Sequence, residues 1–182
     1  LKTDKYCYLA LEQLLSLLAQ HEKLQDVITF MSKIYDYKIT KDVLFLLKAS
    51  LQIGNPMLAN HFLKLIDSQQ NNLLKEQANV EFLQENYNKA YMYFEQLYLQ
   101  TYQKEFAVML ILSALISKNV SQLGRLSQVV KPSLKRMIER IGLRKDTELL
   151  SVDMEDALEI VKMAIKNGVF KKMGNLLLEL IR

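Results

Sequence analysis

The residues of this chain equipped for chemistry are few: two histidines, one cysteine and several closely spaced cations. His21 and His61 fall in separate segments, with no cysteine, further histidine or paired carboxylate placed to complete a metal cluster. Cys7 stands between Tyr6 and Tyr8, where a thiol packed near an end of the fold is expected rather than a nucleophile. No nucleophile motif, phosphate loop or dinucleotide fingerprint occurs, and five glycines are too few and too scattered to build one. The carboxylates, such as Glu12, Glu22 and Asp26, spread over helical faces instead of gathering. The expectation is a protein that is not an enzyme, with no catalytic residue, no metal and no cofactor.

Groups suited to binding are better represented. Lys75 and Asn79 are one helical turn apart and together can supply a charge and a donor to a carboxylate. Lys135, Arg136, Arg140 and Arg144, with Lys131 and Lys145, form a basic run suited to an acidic protein partner or to nucleic acid. The net charge is only +4 and no aromatic residue interleaves these cations, so solvated surface is favoured over nucleic-acid contact. Tyr91, Tyr93, Tyr98 and Tyr102 combine aromatic area with polar tips; most are expected to pack inside the fold, with Tyr93 the most exposed.

The elements that position these groups are helices. In 182 residues there are 5 glycines and 2 prolines, too few for hairpin turns, while leucine, lysine, glutamine and glutamate favour helix. The chain is half hydrophobic and 24% charged, the balance of a folded protein with a sizeable core and not of a disordered one. Its longest apolar run, "FAVMLILSALI" (106–116), is too short to span a membrane and reads as a buried helix. One cysteine cannot form an internal disulfide, which fits a reducing compartment, cytoplasmic or nuclear. No secretory signal is visible, and a start at Leu1 rather than Met leaves room for a longer parent chain.

One spacing recurs along the chain. "ENYNKAYMYF" (85–94) aligns with "GNPMLANHFL" (54–63), Asn86 on Asn55, Ala90 on Ala59 and Phe94 on Leu63, at a shift of 31. The same frame returns in "EKLQDVITFM" (22–31), with Val27 and Met31, and in "KNVSQLGRLS" (118–127), with Leu123 and Ser127. Each unit reads as two helices and a tight corner. Gly54 suits a helix end, Pro56 a first helical turn, and Asn86 and Asn119 a capping corner.

The segment "NVEFLQENYNKAYMYFEQL" resembles a tetratricopeptide repeat, with Tyr87, Ala90 and Phe94 at the second helix's aromatic, small and large positions and Ala78 at the small first-helix position. The other units carry Leu15, Leu47 and Ile111 there, which makes them degenerate and leaves a pentatricopeptide-like repeat as the alternative. The resemblance covers residues 8–130. It implies an all-α solenoid of about five antiparallel helix pairs in a right-handed superhelix, with the first helix of each pair lining a concave groove. The groove positions would be Asn72, Lys75, Asn79, Phe82 and Leu83, joined by Lys41 and Lys48. Lys75 and Asn79 fall where clamp-type members hold a peptide's terminal carboxylate, although Phe45 and Met109 stand where such a clamp has polar partners.

After Pro132 the rhythm breaks. Four helix pairs over residues 1–130 are followed by a basic helix and loop at 131–155 and by a fifth pair or cap at 156–182, with Gly168 in its corner, Met173 in the small slot and Leu177 following. The expected function is a non-catalytic protein-protein interaction module, a scaffold, adaptor or peptide-sensing regulator, that takes a peptide or partner helix and inserts in no membrane. The alternative, an RNA-binding repeat of the pentatricopeptide type, needs base-reading side chains at fixed slots, and no consistent polar pattern occupies them.

Overall fold

The computed structural model describes residues 5–66, 73–129, 154–167 and 169. Among them every regular element is an α-helix, as the composition requires, and there is no strand. Asn72, the basic candidates Lys135, Arg136, Arg140 and Arg144, most of the 131–155 insertion and the second helix of the fifth pair lie outside the described residues. The chain divides into two compact units, Leu1–Glu85 and Asn86–Arg182.

The first unit contains α1 (Tyr8–His21), α2 (Leu24–Ser32), α3 (Thr40–Gln52), α4 (Pro56–Leu65) and α5 (Leu74–Leu83). Only Glu22 and Lys23, both extended, separate α1 from α2, so the corner is tighter than the polar stretch "HEKLQ" suggests. Helix α3 is central: it packs against α1, α4 and α5. It buries Asp42, Val43, Leu46, Leu47, Ala49 and Ser50, which leaves Lys41, Leu44, Phe45 and Lys48 on the opposite side. Most residues at the repeating slots of this unit are core residues, although Leu63, in the large slot of α4, is only half-buried and its neighbour Phe62 takes the core position. Leu15, Val27, Met31, Leu47, Ala59 and Ala78 are all buried, five of them in one apolar cluster that also holds Leu46, Leu58 and Phe62.

The corner between α3 and α4 follows from its sequence. Gly54 adopts φ +70°, a left-handed conformation that costs glycine little. Its amide donates to the Leu51 carbonyl at 3.1 Å and the Asn55 amide to that of Ser50 at 3.0 Å, which satisfies carbonyls that a helix end leaves open. The Asn55 side chain then accepts from the amides of Met57 and Leu58 at 3.1 and 3.0 Å, with Pro56 in the first turn where no amide is needed.

The second unit contains α6 (Tyr87–Thr101), α7 (Lys104–Ser117), α8 (Val120–Val129) and α9 (Met154–Lys166). Here α7 is the central element, packed against α6, α8 and α9. Phe106 to Leu115 are buried without interruption, the fate of a helix that is apolar on every side. Its one hydroxyl in that stretch, Ser113, donates to the Met109 carbonyl at 2.7 Å. Ala90, Phe94 and Ile111, three slot residues of this unit, are buried too, while Tyr87 is half-buried. At the α7–α8 corner Lys118 takes φ 54°, and the Lys118 and Asn119 amides repeat the bonds of Gly54 and Asn55 by donating to Leu115 and Ala114. The Asn119 side chain accepts from the Gln122 amide at 3.2 Å, whereas Asn86 makes no side-chain cap to α6.

Candidate functional site

The exposed side of α3 carries a four-residue stripe. Lys41, Leu44, Phe45 and Lys48 stand at positions i, i+3, i+4 and i+7, the spacing that aligns side chains on one helical face. With Tyr6 they line an open pocket of about 590 Å³. Leu44 and Phe45 are half-buried and form its apolar part; Lys41 and Lys48 are exposed at either end. Among the described residues neither lysine makes an ion pair.

Aromatic rings hold Phe45 in place. Tyr6 and Tyr8 each meet it edge to face with ring centroids at 5.5 Å, and Tyr35 lies 6.1 Å away at a tilt of 35°. The Lys41 ammonium sits 4.3 Å from the Tyr6 ring centroid, a cation–π contact that keeps the charge at the pocket rim.

What fixes Tyr6 is a carboxylate on the hidden side of the same helix. Asp42 is fully buried, and its Oδ1 accepts from the Tyr6 hydroxyl at 2.6 Å. Its Oδ2 accepts from Lys5 Nζ and from the Asp36 amide, both at 2.9 Å. The Tyr35 hydroxyl donates to the Lys5 carbonyl and ties down the same segment. Burial by itself would raise the Asp42 carboxyl, but the bonds from Tyr6, Lys5 and the Asp36 amide outweigh it and hold the group below the usual carboxylate range. Hydrogen bonding to Asp42 raises Lys5 and Tyr6 in turn. As an acid in the first turn of α3, Asp42 also complements the positive end of the helix dipole.

The remaining candidates fall elsewhere. On α5, Lys75 is exposed, Asn79 and Leu83 are half-buried, and none of them lines the α3 pocket. Phe82 is only 2% exposed, so its ring offers no surface to a partner. Cys7 is exposed and not packed, because it precedes the first turn of α1 with its side chain outside the apolar cluster. Among the α6 tyrosines, Tyr91 and Tyr98 are buried and Tyr93 half-buried. The exposed tyrosine is Tyr102, at 70%, because the chain turns left-handed there (φ 53°) as α6 ends.

His21 ends α1 at the surface. His61 is half-buried against Tyr37 and Phe62, and burial, with the nearby Lys64 charge, pushes it below the ordinary histidine value. Among the described residues no group of three His, Cys, Asp or Glu side chains is placed to hold a metal ion, and no helix is long and apolar enough to cross a membrane. Tyr6, Leu44 and the Asp42 anchor are the residues of this candidate site that sequence reasoning did not find. No local pattern marks them, since Tyr6 and Asp42 meet across 36 residues.

No family model, no curated protein and no solved structure matches the chain. The tetratricopeptide resemblance therefore rests on the residues that carry it.

Proposed function

We propose that the chain is a non-catalytic interaction module, a degenerate tetratricopeptide-like solenoid of helix pairs, that holds a peptide or partner helix of another protein against α3. The observation that carries this reading is the α3 pocket itself: two lysines without ion-pair partners among the described residues bracket an apolar floor on the exposed side of a well-buried helix. A pocket of about 590 Å³ lies within the roughly 300–1,000 Å³ of ordinary ligand sites, and its lining mixes an apolar body with a few convergent polar groups. The helix pairs, their corners and the buried slot residues support the solenoid reading. As an adaptor or peptide-sensing regulator the module works in a reducing compartment, cytoplasmic or nuclear, in keeping with its single cysteine.

Selection from an unbiased peptide library, followed by anisotropy titration of the enriched peptides, tests the proposal. Saturable binding of enriched peptides is expected. Failure to enrich any peptide would sink it, and turnover of a small substrate would point to catalysis instead.

A further inference from the structure

The α3 pocket has a chemical polarity that narrows its occupant. Its polar groups are two ammoniums and one phenol, and the phenol hydroxyl is already committed to Asp42. The nearest acid on the helix, Asp42, is fully buried and matched by Lys5, so no carboxylate lines the pocket among the described residues. A positive rim with no carboxylate among the described lining residues, set around apolar and aromatic walls, is complementary to an apolar side chain flanked by anions.

Spacing narrows it further. Lys41 and Lys48 are seven residues apart, about 10.5 Å along the helix axis. In an extended chain, residues i, i+2 and i+4 point to one side and the outer two lie about 13 Å apart. The difference, about 1.3 Å at each end, is within the swing of a four-carbon lysine stem. The middle side chain of such a triplet then faces Leu44 and Phe45, between the two charges.

From this we infer that the pocket binds an extended acidic segment of a partner protein, with acidic residues at its first and fifth positions and a large apolar residue at its third. The inference rests on the module reading above and specifies its ligand. Tyr6 is a wall of the site, and Asp42 acts through it as a positioning residue that touches no ligand.

The test is an anisotropy titration of three labelled peptides built on a glycine and serine background. Their cores are Glu-Ser-Phe-Ser-Glu, the same with glutamine for glutamate, and the same with lysine for glutamate. Each is titrated against the wild-type chain and against Lys41→Glu/Lys48→Glu, whose two sites are exposed and whose folding is checked by circular dichroism. The acidic peptide binds wild type about two- to thirtyfold more tightly than the glutamine peptide, and added salt narrows the gap. In the charge-reversed protein the order inverts, and the lysine peptide binds best. Equal binding of the acidic and glutamine peptides, or unchanged acidic binding after charge reversal, overturns the inference. So does binding of an oligouridylate in place of the acidic peptide. If the unbiased library instead returns neutral or basic peptides, the module reading stands and the acidic assignment falls; if it returns none, both fall.

Discussion

Substituting Ala59→Leu probes the packing that the repeat frame depends on. Ala59 is fully buried on α4 and shares an apolar cluster with Leu47 of α3, the helix α4 packs against. A leucine adds three carbons where the cluster leaves no exposed surface, and overpacking of this kind costs about 1–3 kcal/mol. The reverse change in the facing helix, Leu47→Ala, removes a fully buried side chain and costs about 2–5 kcal/mol through lost transfer energy and the cavity left behind. If the small slot on α4 exists to admit the large residue on α3, the two changes compensate. The double variant is then less destabilised than the sum of the singles by about 1 kcal/mol or more. Urea unfolding followed by far-ultraviolet circular dichroism, extrapolated linearly for all four proteins, gives the cycle. The reasoning is refuted if Ala59→Leu lies within about 0.5 kcal/mol of wild type, or if the two effects simply add.

Four further outcomes follow from the corners and the titrating groups. Asn55→Ala removes both side-chain caps of α4 and costs about 1 kcal/mol, and Gly54→Ala, forced to keep φ +70°, costs about 1–2 kcal/mol; both are read from urea midpoints. Because the folded Asp42 carboxyl lies below its unfolded value of about 4, its contribution is complete above that pH and is lost as pH falls through the lower folded value. Tyr6→Phe deletes one of the bonds that lowers it, so the acid-unfolding midpoint moves to higher pH, visible in a circular dichroism titration. His61 is also depressed in the fold: its neutral form is favoured, so stability is complete above about pH 6.5 and declines as pH falls through the lower folded value. His61→Phe flattens that stretch of the stability–pH curve, and an unchanged slope contradicts the assignment.

Local signals in the sequence carried the helices and their corners. The Gly54–Asn55–Pro56 turn, the Asn119 cap and the wholly buried run at 106–115 each depend on residues within a few positions of one another, so periodicity and capping chemistry suffice to find them. The slot residues were legible for a similar reason, since Val27, Ala59 and Ala90 recur at a nearly constant interval. Lys41 and Lys48 were placed by the same frame, and the pocket brings them together.

Other features depend on contacts that no local pattern encodes. Tyr6 meets Asp42 across 36 residues, and neither residue belongs to the repeating frame. Phe45 stood out in the sequence only as a departure from a clamp; its place in the pocket comes from Tyr6, Tyr8 and Tyr35, which arrive from outside α3. The tetratricopeptide resemblance put Phe82 on a groove-lining face, but the fold buries it. Tyr102 is exposed because α6 ends in a left-handed turn that hydrophobic periodicity does not register.

Amine-reactive footprinting tests the central claim most directly. The chain is acylated with and without a library-selected peptide, and modification at each lysine is read by mass spectrometry. The account predicts that bound peptide protects Lys41 and Lys48 together, while Lys33 and Lys64, exposed lysines outside the pocket, react as before. Saturating peptide that leaves Lys41 and Lys48 as reactive as in the free chain would contradict it.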